Sequence, residues 1–318
     1  MSFVGKVAFI FPGQGAQYPG MGRDLVSRYA EARRVFEEAD EALGFSLSEL
    51  CFQGSPEDLA LTRNTQPAVL AVSMATFEAL KAMGARPDFV AGHSLGEYSA
   101  LVSADVIGFA DALRLVRVRG ELMQKAVPPG VGAMAAVIGL ERSAVEECCR
   151  QARLTGVGEV QPANFNSPDQ IVISGDAAAV KRAGELCGEA GARRVIPLNV
   201  SGPFHSRLMA PAASAFEPEL QKVAMRAPVV PVVGNVTGRP LSSVAELKAM
   251  LARQICSPVL WEESVRFMWE AGVRAFVEVG PGRTLTGLVR RIVPEAAVFA
   301  AEASTPLEDT LEFLKEVL

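Results

Sequence analysis

The chain has 318 residues, 49% hydrophobic and 21% charged, a balance that excludes a disordered or fibrous protein and points to a folded globular one. A formal charge of -5 and a pI near 5.4 argue against a general nucleic-acid binder, which would carry a basic face or domain. The five cysteines (Cys51, Cys148, Cys149, Cys187, Cys256) form no CxxC pair and no Cys/His metal spacing, so reduced, buried thiols are expected rather than a disulfide framework or a metal site.

Met1–Gln17 holds the short apolar run Val7–Phe11, stopped by Pro12-Gly13 and lacking the basic start and longer apolar core of a signal peptide. No run approaches membrane-spanning length, and a cytoplasmic location is expected. Val7–Phe11 reads as a buried strand, followed by helices around Asp24–Leu43 and Ala68–Met83. Asp88–Ala91 reads as a second strand running into Gly92-His93-Ser94-Leu95-Gly96 and a helical stretch. Alternation of strand and helix predicts an α/β core with a mostly parallel sheet.

From Pro128-Pro129-Gly130 to Asn199 the rhythm changes. Strand Ala133–Ile138, helix Ser143–Ala152, strands Val160–Asn164 and Gln170–Ser174, helix Ala177–Ala190 and strand Arg193–Leu198 give a βαββαβ order, the ferredoxin-like arrangement. The expected organisation is a main domain over 1–127 and 199–318 with a small inserted domain over 128–198. The returning chain supplies strands Val229–Val233 and Ala275–Val279, helices Val244–Ile255 and Glu262–Ala271, and a last helix over Pro306–Leu318.

Gly92-His93-Ser94-Leu95-Gly96 matches GxSxG, whose glycines permit a sharp strand-to-helix turn that exposes the serine. The pentapeptide alone is weak, but here a strand precedes it and a helix follows. Such a serine needs a base, commonly histidine, as it attacks an ester or thioester carbonyl. The chain has only His93 and His205. His93 adjoins Ser94, where neighbouring side chains point to opposite faces, so a structural role suits it better. His205, in the loop-like Ser201-Gly202-Pro203-Phe204-His205-Ser206 beside the insert boundary, is left as the base. No acidic residue is placed by sequence to orient it; a backbone carbonyl, an amide or a full triad all stay open.

In the helical stretch Ala110–Lys125, Ala112, Leu115, Val116, Arg119, Leu122 and Met123 share one face. A guanidinium in that apolar stripe needs an anion, which makes Arg119 a candidate clamp for a substrate carboxylate, with an internal salt bridge as the alternative. The glycine loops are not nucleotide sites: GxGxxG fails at Tyr18 after Gly13 and Gly15, and at Leu285 after Gly280 and Gly282. The first loop is better suited to bring Gln14 near the serine, where it could form an oxyanion hole with the Leu95 N–H.

Taken together, Phe11-Pro12-Gly13-Gln14-Gly15, Thr65-Gln66-Pro67-Ala68, Gly92-His93-Ser94-Leu95-Gly96-Glu97, Arg119-Gly120 with Met123-Gln124, Asn164-Phe165-Asn166-Ser167-Pro168, Pro203-Phe204-His205-Ser206 and Glu278-Val279-Gly280-Pro281-Gly282 form an ordered set. On these motifs the chain resembles, over nearly its whole length, malonyl-CoA:acyl carrier protein transacylases and the related acyltransferase domains of fatty acid and polyketide synthases. The resemblance implies an α/β-hydrolase-like large domain with the ferredoxin-like insert, a Ser94–His205 dyad, and Arg119 on the malonyl carboxylate. It also implies Gln14 and the Leu95 amide as oxyanion hole, the Gln254 carbonyl orienting His205, and a pocket that includes Gln66, His93, Asn164 and Phe204. Phe204 matches the malonyl-selective form of its motif; Ser257 departs from the asparagine frequent in relatives.

The implied reaction moves malonyl from malonyl-CoA through Ser94 to the phosphopantetheine thiol of acyl carrier protein, with no metal or prosthetic group. A hydrolase using the same dyad, or a non-catalytic carrier-binding partner, would share many of these features. Since carrier proteins tend to be acidic, Arg283, Arg290 and Arg291 are candidates for a local basic patch, against the simpler reading of solvated surface charge.

Overall fold

The computed structural model describes residues 5–128, 130–302 and 305–317. Its strands are β1 (Lys6–Phe11), β2 (Phe89–Gly92), β3 (Gly132–Ile138), β4 (Val160–Ser167), β5 (Gln170–Asp176), β6 (Arg194–Pro197), β7 (Val232–Val233), β8 (Val259–Leu260), β9 (Val273–Val279) and β10 (Ala297–Ala301). They form two five-stranded sheets, giving a mixed α/β architecture.

The first sheet is parallel, in the order β10-β9-β1-β2-β7. Helices cover both faces, which is why Val7–Phe11 of β1 reads as a continuous apolar run and is buried throughout. The register sets Phe11 opposite Gly92, and the His93 N–H donates to the Phe11 carbonyl at 3.0 Å. The loop after β1 and the turn after β2 therefore leave the sheet side by side at its carboxyl edge, where α/β sheets bind ligands.

The second sheet runs β6-β3-β5-β4-β8. Its first four strands are antiparallel and, with helices Arg142–Leu154 and Ala177–Glu189, follow the expected βαββαβ order. Period-two alternation divides β3 between two cores. Ala135 and Val137 pack with Val145, Cys149, Ile173 and Cys187 beneath the two helices, while Met134 and Ala136 join Ala163 and Val172 in the main core. β8, from the returning chain, pairs in parallel with β4 and closes part of that edge.

Several elements differ from the sequence expectation. The helix over Asp24–Leu43 is two, Arg23–Arg28 and Ala30–Leu43, broken at extended Tyr29, whose hydroxyl donates to Glu308 and accepts from the Leu307 N–H. The helix predicted from Ala68 begins at Thr62 and carries Pro67 within it, in a stretch buried almost without interruption from Thr65 to Phe77. The expected strand Val229–Val233 shrinks to β7 because Pro231 has no N–H for a ladder. Helices Leu47–Gln53, Pro56–Ala60, Ala210–Lys222 and Thr284–Ile292, and strands β8 and β10, were not anticipated. The last helix is Leu307–Val317; Leu318, like Pro129 in the expected insert boundary, lies outside the described residues. Among the described residues no helix is long and apolar enough to cross a membrane. Cys51, Cys148, Cys149 and Cys187 are buried free thiols, and burial pushes Cys149 up to about 12.

Candidate active site

Ser94 lies in the turn between β2 and helix Gly96–Ser103 with φ +53, a left-handed conformation that costs a non-glycine residue on the order of 1–3 kcal/mol. Its neighbours allow the turn: a Cβ at Gly92 would fall on the Gly96 backbone, and one at Gly96 on the Phe11 carbonyl. Asn235 holds it, accepting from the Ser94 N–H at 2.7 Å and donating Nδ2 to the Gly92 carbonyl at 2.6 Å.

His205, at φ +58 and 3% exposed, brings Nε2 to 2.7 Å from Ser94 Oγ. Its Nδ1 lies 2.8 Å from the Gln254 carbonyl oxygen, which can only accept, so Nδ1 carries the proton and Nε2 is free to take one from the serine. Gln254 ends helix Val244–Gln254, where carbonyls have no intrahelical donor; among the described residues only the Ser257 N–H also reaches this one, at 3.4 Å. Burial, reinforced by the Arg119 charge, pushes His205 down to about 3, so the imidazole is neutral at physiological pH.

Arg119 is 1% exposed. Its Nη1 donates to Gln66 Oε1 at 2.8 Å, and Nη2 to Gln254 Oε1 at 2.9 Å and to Ser94 Oγ at 3.3 Å. The guanidinium stands 5.5 Å from the centre of the Tyr98 ring, and its Nε has no partner among the described residues. The internal salt bridge weighed from the sequence is not made: its hydrogen-bond acceptors among those residues are two amides and the serine hydroxyl. A buried cation so placed favours an incoming anion.

The nearest carboxyl in this network is Glu97, 1% exposed, which accepts from Gln254 Nε2 at 2.5 Å and from the Asn235 N–H at 3.3 Å. Burial pushes Glu97 up to about 7 against these hydrogen bonds and the pull of Arg119. Gln254 Nε2 also donates to the Ser94 carbonyl at 2.9 Å. One glutamine thus ties together the serine turn, the histidine and the arginine.

A cavity of about 110 Å³ opens beside Ser94, lined among others by Gln14, His93, Leu95, Arg119, Asn164 and Phe204. Met123, Met134, Leu198 and Val200 supply apolar walls. An adjoining cavity of about 220 Å³ shares Gln14, His93, Asn164 and Leu198 and extends to Gln170 and Leu288. Gln66 does not line the first cavity, contrary to expectation; it is buried behind Arg119 and its Nε2 faces Met123 Sδ at 3.6 Å. His93 lines both cavities while its Nε2 meets Asn166 Oδ1 at 2.8 Å and its ring packs on Trp261. The Gln14 side chain donates to Thr62 Oγ1 at 3.2 Å, and among the described residues neither the Gln14 nor the Leu95 backbone N–H is engaged.

Sequence reasoning missed Asn235 and gave no role to Glu97 or the Gln254 side chain. Glu97 had a signal, a lone charge in the apolar helix GEYSALVS; Asn235, in an ordinary turn, had none.

Residues 8–310 match the acyl transferase domain family. The chain belongs to this family. It is 47% identical over 311 residues to the malonyl CoA-acyl carrier protein transacylase of Bacillus subtilis, covering 98% of each chain. Among solved structures, an acyl carrier protein S-malonyltransferase from Vibrio cholerae superposes with a TM-score of 0.93 at 47% identity, over 96% of this chain and 99% of that one. A malonyl-transacylase solved in complex with a type II PKS acyl-carrier protein gives a TM-score of 0.90 at 45% identity, over 93% and 95%. Acyl transferase membership accords with a site that pairs a half-buried serine with a neutral histidine.

Proposed function

We propose that this enzyme transfers the malonyl group from malonyl-CoA to the phosphopantetheine thiol of an acyl carrier protein, through a malonyl ester on Ser94, and so supplies extender units for fatty acid or polyketide synthesis. The observation that carries the reading is a buried, carboxylate-free arginine within hydrogen-bond reach of a serine–histidine pair. A carboxylate on the acyl group gives Arg119 the anion it lacks, and acetyl does not.

In the first half-reaction Ser94 Oγ attacks the thioester carbonyl as His205 Nε2 takes its proton. The developing oxyanion is placed to meet the unengaged amides of Leu95 and Gln14. Collapse breaks the C–S bond, and His205 returns the proton to the CoA thiolate. In the second half-reaction His205 removes the carrier thiol's proton, the thiolate attacks the malonyl ester, and Ser94 leaves with the proton back on Oγ. Burial and the Arg119 charge both hold His205 low. A malonyl carboxylate on Arg119 cancels the second effect, raising the basicity of His205 when the right substrate is present. Side chains and backbone amides carry every step, so no prosthetic group is required.

Phe204, 6% exposed on the cavity wall, is proposed to limit the acyl group to one as small as malonyl, with Asn164 and His93 completing the lining. The domain reading is an α/β-hydrolase-like unit over 1–127 and 199–318 with a ferredoxin-like insert over 128–198; the antiparallel order β6-β3-β5-β4 and the βαββαβ sequence of elements support the latter. The carrier is proposed to approach across helix Thr284–Ile292, whose Thr284, Leu285 and Leu288 line the outer cavity. Of the basic candidates there, Arg283 pairs with Glu302 at 3.0 Å and Arg291 lies 3.7 Å from Asp169, leaving Arg290 with no ion pair among the described residues. A cytoplasmic location fits a reaction between soluble substrates.

The test is intact-mass analysis after incubation with malonyl-CoA, with peptide mapping, followed by separate chases with buffer and with phosphopantetheinylated carrier. A malonyl adduct on Ser94 that survives buffer and discharges onto carrier is the expected result. Equal loss in buffer would make the protein a hydrolase, and no adduct would refute the reading.

A further inference from the structure

A third cavity, about 430 Å³, lies on the other side of β4 from the reaction cleft and shares no lining residue with it. Gln161, Pro162 and Phe165 line it from β4, and Leu260, the β8 residue that pairs with Phe165, lines it as well. Four arginines line it, Arg142, Arg153, Arg207 and Arg253, against two carboxylates, Glu146 and Glu159.

Arg142 is already committed: it pairs with Glu146 at 3.0 Å and Glu263 at 2.5 Å and lies 3.7 Å over the Phe165 ring. Arg153 spends one N–H on the Val160 carbonyl at 2.6 Å. Arg207 and Arg253, from different segments of the returning chain, have no carboxylate at ion-pair distance among the described residues. Arg207 and Arg253 are exposed, and guanidinium groups brought from separate elements to one recess suit a compact oxyanion with several acceptor oxygens. The volume is in the range of small-molecule sites, and a recess suits a small ligand better than a convex protein surface.

The cavity also touches the catalytic loop. Gln161 Nε2 donates to the His205 carbonyl at 3.3 Å, and its Oε1 accepts from the Arg207 N–H at 3.3 Å. His205 sits at φ +58, a conformation maintained only by its surroundings. A ligand that draws in the Arg207 side chain therefore acts on the same short loop that sets the distance from His205 Nε2 to Ser94.

We infer that this cavity binds a small phosphate-bearing anion and that its occupancy alters the reactivity of the Ser94–His205 pair. Binding is tested by calorimetric titration of the full chain with inorganic pyrophosphate at low chloride. Saturable one-to-one binding is expected, weakened at least tenfold in Arg207→Ala/Arg253→Ala and tightened severalfold in Glu159→Gln, where a competing negative charge is removed. The Glu159→Gln arm gains affinity and so cannot be mimicked by misfolding. Absence of saturable binding, or equal affinity in all three proteins, overturns the site.

Coupling is read from Ser94 acylation by the malonyl thioester of N-acetylcysteamine, a donor without phosphate. Pyrophosphate is expected to change that rate at least threefold, at the half-saturation seen by calorimetry, and to lose the effect in the double variant. A rate indifferent to bound pyrophosphate overturns the coupling, and inhibition equally strong in the double variant would place the anion at Arg119 instead. The calorimetric arm stands even if the acyl-transfer reading fails, so the two failures are distinguishable.

Discussion

Arg119 makes the sharpest prediction at the scale of a residue. Replacing it with Ala removes charge-assisted hydrogen bonds of about 1.5–3 kcal/mol to a substrate carboxylate, so the preference for malonyl-CoA over acetyl-CoA in the acylation rate of Ser94 falls by roughly 10- to 150-fold. An unchanged preference would remove the clamp from the mechanism. His205 predicts a pH profile. Because its value in the free enzyme is held far below the usual 6.5, kcat/KM for acylation should show no histidine inflection near that pH. Glu97 has the opposite shift, up to about 7 from 4.5. The folded state then binds the extra proton between those values, so the stability due to the protonated carboxyl is full at pH 4.5 and lost as pH rises through 7. Glu97→Gln keeps a hydrogen-bonding group without the charge. Its melting temperature relative to the parent should therefore be higher at pH 8 than at pH 5, and a constant difference would contradict the buried-carboxyl argument.

At the scale of elements, the site depends on how closely two helices meet. Arg119 is on helix Phe109–Lys125 and Gln66 on helix Thr62–Ala82, and between them a Cβ at Gly120 would lie 2.8 Å from the Thr62 carbonyl oxygen and from Arg63 Cα. Gly120→Ala must part the helices. We expect a cost of about 1–3 kcal/mol in chemical denaturation, with a weaker malonyl preference because Gln66 no longer seats the guanidinium. Full stability with unaltered preference would show that the packing has slack. The same scale explains what the sequence concealed. The apolar stripe bearing Arg119 could be read from spacing alone, because a helix shows its period in a short window. Helix Thr284–Ile292 and strand β8 are short, and their existence depends on neighbours far along the chain.

The whole molecule brings the reacting groups together. Ser94 is carried by the turn after β2, His205 by the loop after β6, and Gln254 by a helix end 49 residues beyond that histidine. The outer cavity is bounded by the loop after β1, the turn after β2, the second sheet and helix Thr284–Ile292. If an acidic carrier docks there, Arg290→Glu should slow discharge of malonyl-Ser94 onto carrier several-fold at low salt, with the difference vanishing at high salt and acylation by malonyl-N-acetylcysteamine unaffected. Discharge that ignores both the mutation and the salt would move the docking surface elsewhere.

The βαββαβ order of β3 to β6, the serine turn, the placing of His205 rather than His93 against Ser94 and the anomaly of Arg119 were legible in the amino-acid sequence, because each follows from local periodicity, from a short motif or from the scarcity of histidine. The tertiary structure decided what no local pattern encodes. It supplied a backbone carbonyl as the partner of His205 Nδ1, put Gln66 behind the arginine rather than on the cavity wall, and joined Glu97, Asn235 and Gln254 into one buried network. Those partners lie tens to more than a hundred residues apart, and burial, which sets both their hydrogen bonding and their protonation, is a property of the packed molecule alone.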